Sequence, residues 1–227
     1  MATRFWLPNT GAAAVSPSFT GWTNTTGADR IKCVTTKISS TMTTKTYSIE
    51  DTGAPYNDLW RQYVSDPLSA QTISGTVKGI IRCAENITNV TGYPQIRIRV
   101  CNQAGDSFTG TLLDFNNNAV SNEFAVGATL VNRKFPRNWS GAGTSLSSLA
   151  INANDRLVIE IGFRQDANNE GAETCSASFG DDAGSDLAED ETSSTANNPW
   201  LEFSQDLFGP PPQQLDQIVR EILFRGA

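Results

Sequence analysis

The sequence contains no histidine. This absence excludes Ser-His-Asp and Cys-His catalysis, histidine-ligated metal sites and imidazole-based pH switches. A pair of carboxylates about 5–10 Å apart can still hydrolyse a glycosidic bond without histidine. The carboxylates that lie in or beside predicted strands are Asp114, Asp155, Glu160 and Glu202. The sequence singles out no pair among them and holds no other motif with a mechanism, so we expect a protein without enzymatic activity and without a cofactor.

Cysteine is scarce, and the cysteines show no CxxC spacing. Cys33, Cys83, Cys101 and Cys175 are therefore predicted to be reduced, buried, small hydrophobic residues. A zinc site would require all four to converge, because no histidine is present to serve as a ligand. We predict no metal site from them.

Long hydrophobic runs are also missing, since no stretch approaches the ~20 apolar residues of a membrane-spanning helix. Near the N-terminus, Pro8 interrupts the apolar residues Phe5, Trp6 and Leu7. The next apolar stretch, residues 12–15, is too short for the core of a secretion signal. We expect synthesis in the cytoplasm without signal-peptide export, and no membrane partner.

Charged residues make up only 18% of the chain, and the excess of acidic over basic residues gives a net charge of −7. This balance disfavours non-specific binding to nucleic acids and anionic membranes. Threonine, serine, asparagine and glycine are abundant instead. Such a composition is typical of a soluble β protein whose outer faces are rich in hydroxyl groups.

Alternating apolar and polar residues predict three half-buried strands, at 71–83, 95–101 and 155–164. Weaker strand candidates are 31–39, 59–64, 107–113, 123–131, 174–179 and 200–204. About nine short strands separated by polar turns, with no helix between them, favour an all-β antiparallel β-sandwich or jelly roll. Residues 31–205 form this predicted domain. Residues 1–30 lack periodicity and are predicted to be an extended N-terminal arm that covers either its own domain or a neighbour.

The C-terminal residues break the β pattern. A proline-rich spacer, 206–212, precedes a predicted amphipathic helix at 213–227, whose aliphatic residues recur at helical spacing. An isolated helix of this length is marginal in water, so it needs a surface to pack on, either a partner or its own domain. The predicted partner-binding residues of the helix and of the arm are Leu215, Ile218, Val219, Ile222, Leu223, Phe224, Phe5 and Trp6.

Two charged segments are candidates for further contacts. The stretch 181–191 holds six carboxylates and is interpreted as a solvated acidic loop, a Ca²⁺ site or a contact for a basic partner. The segment 133–139 interleaves cations with aromatic rings and is predicted to be an exposed loop. The residues that would pair between identical subunits are Arg133, Lys134, Arg137, Asp186, Glu189 and Asp190. The aromatic residues that could stack on a glycan, or else pack in the core, are Trp60, Tyr63, Tyr93 and Trp139.

Several short stretches carry a resemblance to a known family. They are 1–8, 11–13, 15–17, 34–37, 61–67, 75–79, 156–162, 186–191 and 197–203. Over roughly residues 1–205 the sequence resembles a family of tailed-bacteriophage virion structural proteins. None of the matching stretches is a catalytic motif, and the proline spacer with the terminal helix resembles an extension beyond the shared domain.

The resemblance implies a virion component made in the host cytoplasm. We therefore expect a non-enzymatic structural protein that is associated with the capsid, as a decoration or cement protein, or with the neck or tail. Its partners would be major capsid or neck and tail proteins, and it would form a symmetric homo-oligomer through its terminal segments. The alternatives are a receptor- or glycan-binding module of a fibre or tail tip and a carboxylate-based hydrolase.

Overall fold

A computed structural model of the protein describes residues 1–49, 56–86, 92–115, 123–127, 129–165, 173–191 and 197–209. The described residues are all-β. The strands, numbered β1 to β15 in chain order, are Thr3–Trp6, Asp29–Lys32, Thr43–Ile49, Tyr56–Val64, Gln71–Ile73, Thr76–Glu85, Gly92–Cys101, Phe108–Leu113, Ala125–Val126, Val131–Phe135, Thr144–Ser145, Leu149–Ile151, Arg156–Gln165, Glu173–Phe179 and Trp200–Phe203. The predicted helix at 213–227, with its six partner-binding residues, and residues 210–212 of the spacer lie outside the described residues.

The strands form two large sheets and one small one. The first sheet has the order β1-β15-β6-β14-β3, and β9, β10 and β11 also pair with β6. The second sheet has the order β2-β4-β13-β7-β8, and β5 pairs with β12 in a separate two-stranded sheet. Most pairings are antiparallel, while β2–β4 and β6–β9 are parallel. In the part of the chain that the structure describes, no helix is long and apolar enough to cross a membrane.

Alternation along the strands places one apolar face of each large sheet in a common core. Val77 and Ile81 from the first sheet and Ile98 and Ile159 from the second belong to one cluster of buried residues, and all four are fully buried. Trp60 fills the same cluster and stacks on Phe124 at a centroid distance of 5.8 Å. The core therefore joins the two sheets into one body.

The four cysteines are free and buried, as predicted. Burial raises the pKa of the Cys101 thiol to about 11 and raises the thiol pKa of Cys33 and Cys83 further. These thiols are therefore protonated and unreactive at neutral pH.

The structure corrects several strand predictions, and the predicted strand 31–39 is reduced to the short β2, Asp29–Lys32. The predicted strand 71–83 is divided at Ser74 and Gly75, because Gly75 has φ +86° and a side chain there would collide with Ser204. The segment 123–131 is also divided, into β9 and the start of β10. The short strands β1, β11 and β12 were not predicted. The longer β3 was also missed, because its sequence is mostly threonine and lysine and lacks regular alternation.

The strands β7 and β13 are buried on both faces, where the sequence predicts half-buried strands. Glu160 in β13 is fully buried, and Arg99 in β7 is 3% exposed. Neither belongs to the hydrophobic core cluster. The outer face of the second sheet therefore has a cover, which the N-terminal arm supplies.

Candidate functional site

The first part of the arm is a strand of the chain's own first sheet. β1 pairs with β15 in antiparallel register, with Thr3 opposite Phe203 and Trp6 opposite Trp200. Phe5 is fully buried and packs edge-to-face on Phe203 at 5.9 Å. In this structure the Phe5 ring therefore fills the core of its own chain, and its assignment as a partner contact stays a prediction.

Trp6, the other arm residue assigned to partner contact, faces outward and is only partly buried. Its indole N–H donates to the Asp186 carboxylate at 2.9 Å. The Lys37 ammonium lies 5.8 Å from its ring centroid. Trp6 is therefore already engaged by its own chain.

The second part of the arm, residues 17–22, crosses the outer face of the second sheet. Three arginines of that sheet hold its backbone carbonyls. Arg30 donates to the Pro17 carbonyl at 2.9 Å, Arg99 to the Ser18 carbonyl at 3.1 Å and Arg97 to the Thr20 carbonyl at 2.7 Å. We call these three residues the arginine clamp. Hydrogen bonds from these side chains therefore hold the segment against the sheet in place of backbone–backbone hydrogen bonds.

A buried polar network lies beneath the arm, next to the arginine clamp. Glu160 Oε1 accepts from Arg99 Nη2 at 2.7 Å and from Gln62 Nε2 at 3.0 Å, and Gln62 Oε1 accepts from Arg30 Nε at 3.0 Å. Burial raises the pKa of the Glu160 carboxyl, although Arg99 and Gln62 oppose the shift. Burial likewise lowers the pKa of the Arg99 guanidinium, against the attraction of Glu160. Desolvation is therefore the largest influence on the pKa of both Glu160 and Arg99.

Trp22, at the end of the arm segment that covers the second sheet, makes an aromatic contact. Its ring packs edge-to-face on Phe115 at 4.8 Å, and only 8% of the residue is exposed. Beneath it lies Gly162, where an added Cβ would come within 2.8 Å of Trp22 Cζ3 and would also collide with the backbone oxygen of Asp58. The close approach of Trp22 to β13 therefore depends on glycine at this position.

The acidic segment 181–191 folds onto the outer face of the first sheet. The Asp186 carboxylate pairs with Arg4 at 3.0 Å and with Lys37 at 2.9 Å, and Glu189 pairs with Lys78 at 2.7 Å. Burial opposes ionisation of Asp186, but the hydrogen bonds from Lys37, Trp6 and Arg4 lower its pKa. Two of the acids predicted to pair between subunits therefore already pair within the chain.

No metal site takes shape in the acidic segment. In the described ranges, no group of three or more acidic, cysteine or histidine side chains is arranged to hold a metal ion. Asp181 is fully buried and accepts from the backbone N–H groups of Ile38 and Ser40 at 2.7 and 2.6 Å. This carboxylate serves a structural purpose, because it fixes a loop in which Ser39 has φ +61°.

The basic segment is not the exposed loop that the sequence predicts. Arg133 and Lys134 belong to β10, and Trp139 is 6% exposed and packs with Ile80 and Trp200. The reason is Phe135, which is fully buried and anchors the strand in the core. Arg137 follows the strand with φ +63°, and Asp190 has an interaction partner in the chain.

The aromatic residues considered for glycan stacking are mainly core residues. Trp60 and Tyr63 are fully buried, and Trp139 is nearly so. Tyr93 is partly buried in β7. Stacking on a sugar requires an exposed ring face, so the first three are excluded from that role in this structure.

Each candidate carboxylate for hydrolysis has a structural partner. Glu160 lies under the arm, and Asp155 is 3% exposed and accepts from Thr109 at 3.1 Å. Glu202 pairs with Arg4 at 2.9 Å, and Asp114 pairs with Arg97 at 2.9 Å. Each of the four carboxylates is therefore engaged within the chain.

A cavity of about 360 Å³ lies on the outer face of the first sheet, where β3, β14 and β6 run side by side. We call it the hydroxyl cavity. Its lining residues are Thr44, Thr46, Ala84, Glu85, Asn86, Gly127, Leu130, Thr174 and Ser176. The Thr46 and Ser176 hydroxyls lie 2.8 Å apart on adjacent strands. The sequence did not reveal this site, because β3 was not predicted.

Comparisons with known proteins show a fold and no family. No family model and no curated protein matches the chain. An aminopeptidase from a marine sediment archaeon, Thaumarchaeota archaeon, aligns with 89% of this chain and 36% of its own, with a TM-score of 0.50 at 6% identity. At that identity the likeness concerns the fold alone.

Two further solved structures are more distant in shape. A CocE/NonD family hydrolase from Staphylococcus aureus aligns with 89% of this chain and 36% of its own, with a TM-score of 0.48 at 9% identity. A structure of infectious bursal disease virus, Gx strain, contains a chain that aligns with this one. The alignment covers 72% of this chain and 36% of the viral chain, with a TM-score of 0.24 at 10% identity. This chain thus spans about a third of the length of each of the three.

Proposed function

We propose that the chain is a non-enzymatic structural protein of a tailed-bacteriophage virion. Its body is a β-sandwich of jelly-roll type, and it attaches to the capsid as a decoration or cement protein, or to the neck or tail. Its terminal segments make the attachment, and the assembly is a symmetric homo-oligomer. The support from the sequence is the family resemblance over roughly residues 1–205 and the amphipathic pattern at 213–227.

The structural observation behind the proposal is that Thr3, near the start of the sequence, lies beside Gln205 and Leu207, which come shortly before the proline-rich residues. The Thr3 N–H donates to the Gln205 carbonyl at 3.1 Å, and the Leu207 N–H donates to Thr3 Oγ1 at 2.8 Å. Phe208 packs on Phe5 at 5.9 Å while 39% of it stays exposed. Phe208 shortly precedes the segment 210–227 that carries the amphipathic pattern, which supports attachment at this end of the body.

The test is removal of the segment beyond the described body. A chain ending at Gly209 is expected to keep its β structure, because the described core contacts involve residues up to Leu207. We expect it to fold, as measured by circular dichroism, and to be absent from purified phage particles. Normal incorporation of the truncated chain would refute attachment through this segment.

Point substitutions test whether incorporation requires the apolar face of the segment 213–227 or only the presence of the segment. Ile218→Asp with Ile222→Asp places two charges on the apolar face and is expected to abolish incorporation. The matched control is Gln213→Asp with Gln217→Asp, which adds the same charge outside the apolar pattern and is expected to incorporate normally. Equal loss in both variants would mean that charge, and not the apolar face, matters.

The hydroxyl cavity favours one second candidate, a receptor- or glycan-binding module of a fibre or tail tip. Its volume is within the range of small-ligand sites, and the Thr46 and Ser176 hydroxyls both donate and accept hydrogen bonds. A glycan array probed with the intact chain and with Thr46→Val tests it. Absence of any Thr46-dependent signal rejects this candidate.

A further inference from the structure

We propose that the hydroxyl cavity binds a neutral sugar ring, through hydroxyl and amide groups of the protein and not through charged side chains. The inference rests on the second candidate function, a glycan-binding module, and it names the ligand class of that site. The ligand is an uncharged, polyhydroxylated glycan, as opposed to a glycan that carries carboxylate, sulfate or phosphate groups.

The polar residues of the cavity project from the outer face of the first sheet. Tyr47 in β3 and Cys175 in β14 belong to the hydrophobic core cluster. Because side chains alternate along a strand, their neighbours Thr46 and Ser176 project from the opposite face. Ser176 lies opposite Thr46 on one side and opposite Ala84 of β6 on the other. Two hydroxyl groups and a methyl group therefore form one row across three strands.

Small residues leave room beside this row. Next to Ala84, the Gly127 N–H donates to the Glu85 carbonyl at 2.7 Å, and a Cβ added at Gly127 would meet nothing within 4 Å. Leu130 adds an aliphatic side chain to the lining, which suits the C–H groups of a sugar ring. The volume of about 360 Å³ lies in the lower part of the range of roughly 300–1,000 Å³ for ligand sites. The space therefore suits a small ligand or one end of a longer glycan.

The paired hydroxyls of Thr46 and Ser176 determine which groups the cavity can recognise. A hydroxyl group has one donor position and two acceptor positions. The two oxygens lie 2.8 Å apart, so one hydrogen bond joins them. The pair as a whole keeps one donor and several acceptor positions. A sugar hydroxyl both donates and accepts and so matches this set, whereas a carboxylate only accepts and matches the single donor.

Asn86 adds an oriented amide to the lining. Its Oδ1 accepts from the Thr174 N–H at 2.7 Å, and its own N–H donates to the Thr174 carbonyl at 3.1 Å. These two bonds hold Asn86 against β14 and leave its Nδ2 to donate to a ligand. The hydroxyls of Thr174 and Thr44 also line the space. A few polar groups beside an apolar wall are what a specific small-ligand site requires.

The charges near the cavity favour a neutral ligand. Glu85 is the one ionisable residue of the lining, but it is 1% exposed, and its Oε2 accepts from the Gly92 N–H at 3.0 Å. A Cβ added at Gly92 would lie close to both this oxygen and Phe124, so the carboxylate faces the core. Arg82 is not a lining residue and donates to the Leu130 carbonyl at 3.3 Å. The net charge of −7 also repels anionic ligands.

The first measurement compares neutral with acidic polysaccharides. A single cavity is expected to bind weakly, because its lining residues include no aromatic ring that could stack on a sugar. Polymeric probes over a dense layer of the immobilised full-length chain compensate by avidity. The neutral probes are dextran, mannan and galactan, and the acidic probes are polygalacturonate and hyaluronate. Competition by free glucose, mannose or galactose shows whether a single ring is recognised or only a longer chain.

Substitutions tie any binding to the cavity. Thr46→Val keeps the shape of the side chain but removes its hydroxyl, and Ser176→Ala removes the partner hydroxyl. Each is expected to weaken binding of the neutral polymer by about 3- to 10-fold per site, as expected for the loss of about one hydrogen bond. The matched control is Thr72→Val, at an exposed threonine of β5, which is expected to bind like the parent chain. Circular dichroism checks that each variant folds.

Salt dependence gives an independent readout. Screening acts on charges, so recognition of a neutral ring is expected to change less than about 2-fold between roughly 0.05 and 0.5 M salt. Binding through charged groups would fall steeply over the same range.

A neutral polymer whose binding is weakened by both cavity variants and not by Thr72→Val supports the inference. Thr46-dependent binding confined to the acidic polymers, or binding that falls steeply with salt, overturns it but leaves a glycan-binding module in place. Absence of Thr46-dependent binding to every probe overturns it together with that candidate. Attachment through residues 213–227 is read separately, in phage particles with the chain truncated at Gly209, so neither result decides the other.

Discussion

In the buried ion pair under the arm, we expect substitution of Arg99 to lower the free energy of unfolding more than substitution of Glu160. Arg99→Met leaves Glu160 fully buried without its cation, and it also removes the guanidinium from the Ser18 carbonyl. Breaking a buried pair by removing one partner costs about 3–5 kcal/mol. Neither residue is exposed enough for solvent to screen the effect. We therefore expect a loss of about 3–5 kcal/mol in the free energy of unfolding near neutral pH.

Glu160→Gln is expected to behave differently. Arg99 keeps its contacts to Ser18 and Thr20, and glutamine retains an oxygen that can accept from Arg99. Because burial raises the pKa of Glu160 in the folded state, its ionisation is less favourable there than in the unfolded chain. We expect this variant to lose less than about 1 kcal/mol near neutral pH, or to gain stability.

The pH dependence follows from the same raised pKa. The stability associated with neutral Glu160 is fully present below the unfolded pKa of about 4.3, and it is lost as the pH rises through the higher folded pKa. Glu160→Gln removes this loss, so the free energy of unfolding of the variant should change less with pH than that of the parent chain. The cost of Arg99→Met should fall toward about 1–2 kcal/mol near pH 4, where the lost contacts to the Ser18 carbonyl and the Thr20 hydroxyl account for the remaining cost.

Urea unfolding at about pH 4, 5.5 and 7 measures these differences for the parent, both single variants and the double variant. The double variant is expected to recover part of the loss caused by Arg99→Met, because no charge stays buried alone. Two outcomes would refute the reasoning. One is an Arg99→Met cost that does not change with pH, and the other is a larger loss for Glu160→Gln than for Arg99→Met.

Two further predictions concern close packing and loop geometry. Gly162→Ala is expected to lower the free energy of unfolding by at least about 3 kcal/mol, because the new methyl group collides with the backbone of Asp58 and with Trp22. Gly141→Ala meets nothing within 4 Å but has φ +57°, so its shift in thermal unfolding measures backbone strain without collision, and an equal shift for Gly162→Ala would contradict the packing argument. Asp181→Asn is expected to cost about 1–3 kcal/mol, since it weakens the bonds from Ile38 and Ser40. Hydrogen exchange at those two amides should quicken selectively, and unchanged exchange would contradict a role in fixing the loop.

The all-β character and the main strands were predictable from the sequence, because period-2 alternation reports a strand with one face in the core. Thus 95–101 and 155–164 match β7 and β13 to within a few residues. The same reasoning missed β3, in which Tyr47 and Ile49 are the only large apolar residues. Threonine suits a strand with one hydroxyl-rich face, but it does not produce the alternation from which strands are recognised.

The cover of the second sheet could not be predicted from periodicity. Arg97, Arg99 and Glu160 alternate with aliphatic residues in the way that a solvent-facing row does. Their burial depends on residues 17–22, which are aperiodic and lie some distance away in the chain. The acidic segment presented the same difficulty, because Asp186 finds Arg4 and Lys37 only in the folded state. Pairing over such separations is a property of the topology and not of local sequence.

These covers determine where contacts with other molecules can form. The arm occupies the outer face of the second sheet, and the acidic segment with Trp139 and Trp200 occupies part of the outer face of the first. Two surfaces that lie outside these covers are the hydroxyl cavity and the end where Thr3 lies beside Gln205. The second of these holds Phe208 and precedes the amphipathic sequence. Under the proposed function, we therefore expect the specificity of assembly to reside in the terminal segments more than in the covered parts of the two sheets.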